Sequence, residues 1–358
     1  MTSFDHISVL LHETVHLLCS GLSQKFDSGR AIFADCTLGG AGHTLLLLKT
    51  LSAAIEKQHG SHLEFEVLCC DQDAFALAIA QERINDWLRT NPAAAKQINV
   101  NLLAINFRDF PHWFANNRKE FKLNGLMADL GVSSPQLDSA ERGFSFLREG
   151  PLDMRMNNSQ GRTAKELLEQ LDEKELTRIF QEFGEEPRAR ALARAIVKDR
   201  ASGLLPMSNT VEFAQYVARV LGYHQSRVHP ATRVFQALRI AVNEELSAVE
   251  DLLSAIPELM AEDGWAAVIS FHSLEDRLVK RYFRAWEAGA LTPQAKQASE
   301  KKQWMEAQMG LSAVAGDNRL SLGEESPRGG VVAQADELQR NPRSRSARLR
   351  GFHFLKST

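Results

Sequence analysis

The sequence predicts an α/β protein with a doubly wound, mostly parallel sheet, interrupted by a block of helices. Three observations carry that expectation. Apolar strand-like runs alternate with amphipathic helical ones from Ala31 to Asp129. A glycine turn joins the first strand to the first helix of that series. From Thr163 to Tyr223 the pattern becomes wholly helical, and a strand pattern returns only at Gly264–Phe271.

The glycine turn is Asp35-Cys-Thr-Leu-Gly-Gly-Ala-Gly-His43, entered by Ala31–Ala34 and left by Leu45–Leu48. In doubly wound folds the crevice beyond the strand ends takes nucleotide-like ligands. Glycine suits the turn because a side chain would hold the backbone off a ligand and resist positive φ. The spacing is not the dinucleotide fingerprint, since Ala41 stands at an obligatory glycine position. An acid four residues before the first glycine is more typical of S-adenosylmethionine sites, where Asp35 would meet the ammonium or orient the loop. Taken alone, the stretch also fits an ordinary glycine-rich turn.

A length of 358 residues suggests two domains, or one domain with a large insertion. Apolar content of 44% and charged content of 24% are those of a soluble globular chain. No apolar run approaches the ~20 residues of a membrane span, and the N-terminus lacks a signal-peptide pattern. Cys19, Cys36, Cys69 and Cys70 show no metal-ligand spacing, so free thiols and a cytoplasmic location are expected. His6, His12 and His16 lack a fourth ligand and read as surface or capping residues, so no metal is expected. A net charge of −3 excludes a general polyanion binder; any grip on nucleic acid must be local or built on shape.

Residues 6–20 read as a short amphipathic lead-in helix. A helix from about Thr44 to Lys57 and a strand over Leu63–Cys70 follow, the latter ending on Asp71-Gln-Asp73. An acid at the end of a second strand can accept from both ribose hydroxyls, and the helix N-cap is its other reading. A helix over Ala74–Thr90 is broken by Asn91-Pro92, and a third strand over Ile98–Ile105 ends at Asn106-Phe107, where the ring stacks on an adenine or joins the core. The fourth strand runs into Asp129-Leu-Gly-Val-Ser-Ser134-Pro-Gln136. The lone pair of an exocyclic base amine is delocalised into its ring. Acceptors on its two N–H bonds, beside a rigid proline, would turn it into a nucleophile.

The chain resembles the MraW family of bacterial ribosomal-RNA small-subunit methyltransferases. The resemblance rests on His6-x-x-Val-Leu-Leu11, Gly39-Gly-Ala-Gly-His43, Asp129 to Asp138, Arg142-Gly-Phe-Ser-Phe146 and Gly150-Pro-Leu-Asp-Met-Arg155. Phe183-Gly-Glu-Glu186, His229-Pro-Ala-Thr-Arg233, Ile269 to Arg277 and Asn341-Pro-Arg-Ser-Arg-Ser-Ala347 extend it along nearly the whole chain. It implies a Rossmann-like class I S-adenosylmethionine-dependent methyltransferase that acts on N4 of a cytidine in 16S rRNA, near the P-site of the small subunit. It places Ala41, Gly42 and His43 on the cofactor, Asp71 on its ribose, Phe107 and Asp129 on the adenine side, and Gln136 on the far side. Cys36 and His12 depart from the family's usual small and acidic residues, and Leu291–Gln339 carries no motif that can be matched.

The expected division is a methyltransferase domain over 1–140 and 226–358, an inserted helical RNA-recognition domain over 141–225, and a flexible excursion over 288–340. Residues 138–160 interleave Arg142, Phe144, Phe146, Arg148 and Arg155. That pattern suits a surface stacking bases and touching phosphates, or equally an ordered loop with Asp153 and Arg155 paired. Arg188, Arg190, Arg194, Lys198 and Arg200 give the insertion a basic face, for RNA or for solvent. A long helix is expected from Ala231 to about Leu253, with Ser273 capping the helix after the fifth strand. Ser134 is the expected amine acceptor, and His272 orients the base, shuttles a proton or is structural. Arg340, Arg343, Arg345, Arg348 and Arg350 are expected to be available to phosphate, ahead of a last antiparallel strand ending at Leu355. Monomer and homodimer are both open. A methyltransferase for a small molecule or protein would not need the basic insertion, a non-catalytic assembly factor would not need the amine loop, and a nicotinamide enzyme is disfavoured by Ala41.

Overall fold

The structure, a computed structural model, describes residues 8–22, 29–57, 63–132, 134–222, 229–308 and 320–355. Backbone packing divides the chain into two units, residues 1–131 with 248–358, and residues 132–247.

The first unit is built on eight strands: β1 (Arg30–Asp35), β2 (Glu64–Cys70), β3 (Ile98–Leu103), β4 (Leu123–Asp129), β5 (Met260–Ser270), β6 (Gly323–Glu325), β7 (Val331–Val332) and β8 (Arg348–Phe354). Their order is β3-β2-β1-β4-β5-β8-β6, with β7 also on β8. The first five strands are parallel, and β8 runs antiparallel to β5, as expected. Ala31–Asp35 of β1 is buried throughout, because helices cover both faces of a parallel sheet and leave no polar side to alternate with. Chain order reverses between β1 and β4, which opens the crevice at their carboxyl ends. One core holds Ile32, Ala34, Phe110, Leu126, Val268 and Trp286; another holds Phe33, Leu47, Phe65, Val67 and Ile84.

Residues 320–340, within the expected excursion of 288–340, carry strands and a helix that pack on the first unit. β6 and β7 pair with the outer edge of β8, and the helix Ala335–Arg340 seats Leu338 on a cluster with Val9, Leu10 and Leu349. The helix Pro293–Gln308 precedes them, and residues 309–319 lie outside the described residues. The arginine run is also largely spent within the fold. Arg350 is buried and bonded to Asp276 and Glu325, and Arg340 pairs with Asp336. Arg348 donates to the Gly329 carbonyl, while Arg343 and Arg345 are exposed.

The second unit has its own core, including Leu168, Phe180, Leu192, Phe213 and Leu238. Its limits fall outside the expected 141–225 because Val132 and Leu137 join that core at one end and the helix Ala231–Asn243 at the other. The expected helix from Ala231 ends at Asn243, because Glu244 turns left-handed at φ 50; a new helix, Glu245–Leu259, then begins. Capping boxes start two helices, Thr163 with Glu166 and Asp172 with Glu175. Gly143 sits at φ +72, where a Cβ would lie 2.0 Å from the Pro151 carbonyl oxygen. The loop around it has the packing expected of an ordered one. Phe144 is buried, Phe146 packs on His229 and Phe235, and Arg155 makes a two-pronged pair with Asp153. On the basic helix, Arg188 donates to the Leu221 carbonyl and Arg200 to those of Leu168 and Leu171. Arg190 and Arg194 stay exposed on either side of Glu173.

Candidate cofactor crevice

The crevice is assembled from the carboxyl ends of β1, β2 and β4. At the first, the buried Asp35 carboxylate accepts the Thr37 N–H (3.1 Å) and the Thr44 hydroxyl (2.6 Å), tying the turn to the helix Gly42–Lys57 that follows it. Asp35 therefore orients the loop. Thr37 passes the constraint on, since its Oγ1 accepts the Asp129 N–H at 2.6 Å. At the second, Asp71 accepts the Gly39 N–H (2.8 Å) on one oxygen and the Asp73 N–H (2.9 Å) on the other. The N-cap role falls to Asp73, which accepts the Phe75 N–H, so Asp71 is released from capping the helix Ala74–Thr90. Arg83, on that helix, donates to the Gly40 carbonyl.

Ala41 is buried at φ 62, and Gly42 opens its helix against Ser8; a Cβ on Gly42 would fall 1.9 Å from Ser8 Oγ. The first N–H groups of a helix have no intrahelical partner, so they and the positive end of the dipole face the crevice. His43 is buried, with Nε2 3.0 Å from the Val9 carbonyl and Nδ1 3.9 Å from Asp129 Oδ2. Phe107 opens a short 3-10 turn at the end of β3 and lies half-buried against the core, so it serves the packing role at least. Asn106, before it, ties its amide to Gln72.

The acids are out of their ordinary range. Burial pushes both Asp35 and Asp71 up to about 6, against the backbone and hydroxyl donors that pull them down. Burial, with the Asp35 and Glu275 carboxylates next in weight, holds Asp129 well above the usual range. Among the described residues Asp129 Oδ1 is buried without a hydrogen-bond partner, a position that a ligand N–H would satisfy.

Of the remaining expected residues, Gln136 is buried on the short helix Ser134–Asp138 of the second unit, while the side chains of Ser134 and Pro135 lie outside the described residues. His272, not Ser273, caps the helix Ser273–Glu287. Its Nδ1 accepts the Glu275 N–H (3.4 Å), and Nε2 lies 3.1 Å from Glu275 Oε1. Sequence reasoning missed Thr37, Thr44 and Arg83. Thr37 and Thr44 lie in or beside the glycine stretch and could have been weighed with Asp35; Arg83 carries no local signal, since its partner lies 43 positions away.

Among the described residues no helix is long and apolar enough to cross a membrane. The MraW methylase family matches residues 3–355 of the chain. A ribosomal RNA small subunit methyltransferase H of Chlorobium chlorochromatii is 40% identical, across 95% of this chain and 96% of that protein. The protein of the same name from Chlorobium luteolum is also 40% identical, across 96% and 95%. That of Idiomarina loihiensis is 36% identical, across 98% and 96%.

Proposed function

Because the chain belongs to the MraW methylase family, we propose that it transfers the methyl group of S-adenosylmethionine to N4 of a cytidine in 16S rRNA, near the P-site of the small subunit's decoding centre. The relatives that share 36–40% of its residues, and are named for the small-subunit rRNA, support that reading. The observation that carries the cofactor is the donor and acceptor set of the crevice. It offers Asp71 for a ribose, the unpaired Asp129 Oδ1 for an exocyclic amine, and helix N–H groups at Gly42 and His43 for a carboxylate. By resemblance to the family, Phe107 is assigned to the adenine side, the turn at Ala41 to the ligand, and Gln136 to cofactor binding.

When bound, S-adenosylmethionine supplies a methyl group on a positively charged sulfur, an excellent leaving group. The protein's task is then mainly positioning. Ser134 and the backbone beside Pro135 accept from the N4 amine and free its lone pair for in-line attack. The methylated nitrogen is very acidic and loses its proton readily, so no strong base is required. His272 is the candidate to orient the base. The target base has to be unstacked, at a cost of a few kcal/mol. Residues 132–247 recognise the RNA, in the cytoplasm and with the folded small subunit as substrate.

The test is tritiated-methyl transfer to small subunits from a strain lacking this gene, with mass-spectrometric mapping of the product nucleoside. Label on cytidine N4 of 16S rRNA is expected. Label confined to protein or small molecules, or none, overturns the reading. Ser134→Ala should slow single-turnover methylation while cofactor affinity holds, and an unchanged rate removes Ser134 from its role.

A further inference from the structure

The segment before β8 has no assigned part in the crevice, yet one of its side chains reaches into the crevice's supporting shell. Glu337 Oε1 accepts the Leu10 N–H at 2.8 Å. Leu10 is fully buried and left-handed at φ 50, ψ 38, a conformation that a non-glycine residue holds only when its surroundings impose it. Its carbonyl is held from the other side by Thr14, through both the backbone N–H (3.0 Å) and the hydroxyl (2.8 Å). The preceding carbonyl, that of Val9, is thereby aimed at His43 Nε2, 3.0 Å away. Glu337 is itself anchored: Leu338 packs beside Val9 and Leu10, and the Glu337 carbonyl accepts the Asn341 N–H at 2.6 Å.

We infer that Glu337 is a positioning residue of the cofactor crevice, which by holding Leu10 keeps the Val9 carbonyl on His43 Nε2 and so decides which ring nitrogen carries the proton beside Asp129. The inference rests on the crevice being the cofactor site. A carbonyl can only accept, so Nε2 carries a proton, and whenever the ring is neutral Nδ1 turns its lone pair towards Asp129 Oδ2, 3.9 Å away. A lone pair there withdraws no charge from Asp129, whose Oδ1 is the orphaned acceptor of the crevice. Without Glu337, Leu10 relaxes out of its left-handed conformation and the Val9 carbonyl leaves the ring. The proton then moves to Nδ1, which donates to Asp129 and competes with a ligand N–H for the carboxylate.

The experiment uses the full chain with 15N-labelled histidine, the His43 signals being identified by their loss in His43→Asn. In the wild type, the Nε2–H tautomer is expected in the nitrogen spectrum. Glu337→Ala should shift His43 towards the Nδ1–H tautomer far below the melting temperature. It should also weaken S-adenosylhomocysteine binding by about tenfold in calorimetry, the scale on which supporting partners of a site act. Glu337→Gln keeps an acceptor oxygen and should restore both. Unchanged ring signals in a folded Glu337→Ala protein overturn the inference. If that variant does not fold, Glu337→Asp, which withdraws the carboxylate by one methylene, must shift the ring signals where Glu337→Gln does not; identical spectra for the two are equally fatal. A wild type that takes up no S-adenosylhomocysteine refutes the cofactor reading, and the ring spectra still decide the role of Glu337.

Discussion

In the proposed site, Asp71 joins ligand chemistry to proton chemistry. A ribose hydroxyl is held best by the ionised carboxylate, and burial has raised this one from 3.8 to about 6. Cofactor affinity should therefore fall as pH drops through 6. S-adenosylhomocysteine is expected to bind roughly tenfold more weakly at pH 5 than at pH 8, since about a tenth of such a group is ionised there. Calorimetry across that range checks it, and Asp71→Asn should bind weakly throughout with the step reduced. The sign for folding is opposite. A carboxyl raised in the folded state favours that state when protonated, so the contributions of Asp35 and Asp71 are complete below about 3.8 and gone above about 6. At neutral pH these acids are ionised and no longer add to the stability of the fold, the state in which Asp71 would accept from a ribose. Asp71 and Asp129 could be found in the sequence because each ends an apolar run, and strand ends are where such folds bind. Arg83 and Glu337 could not. Their partners are backbone groups brought near only by tertiary packing, the latter across 327 positions.

Among the elements, β8 shows why a residue pattern can mislead about charge. Five arginines in a short run look like a phosphate grip, yet the strand takes Arg350 into the interior, where Asp276 and Glu325 neutralise it. Arg350→Ala leaves two carboxylates facing each other without their cation. It should cost about 3 kcal/mol of stability, read from the shift in denaturant midpoint. The glycine turn of the second unit is as strict. Gly143→Ala forces a side chain into both a left-handed backbone and the Pro151 carbonyl, and should destabilise by about 2 kcal/mol or more in the same measurement. Strand and helix positions were legible wherever periodicity was strong, as over Ala74–Thr90, which the structure places at those residues. Breaks set by one backbone angle were not. Glu244 is an ordinary helix former in composition, and its left-handed turn after Asn243 leaves no trace in the hydrophobic pattern. The polar 320–340 stretch read as loose because its order comes from pairing with β8, not from an apolar face of its own.

For the whole molecule, a net charge of −3 limits how much binding energy can come from phosphate attraction. Affinity for small subunits should accordingly depend only shallowly on salt, and methyl transfer to folded subunits should exceed that to deproteinised 16S rRNA; filter binding and tritium incorporation measure the two. The second unit keeps a core drawn entirely from residues 132–242, so residues 132–247 expressed alone should show a cooperative helical melt by circular dichroism. The bond from Glu337 to Leu10 has a consequence for biosynthesis. The residues around Leu10 that brace the crevice leave the translating ribosome long before the carboxylate that sets them, which follows 327 positions later, as does the strand that pairs with β5. Nascent or prematurely terminated chains ending before residue 337 should therefore fail to retain the methyl donor, so an enzyme acting on ribosomes would become competent only after its own translation has passed that carboxylate.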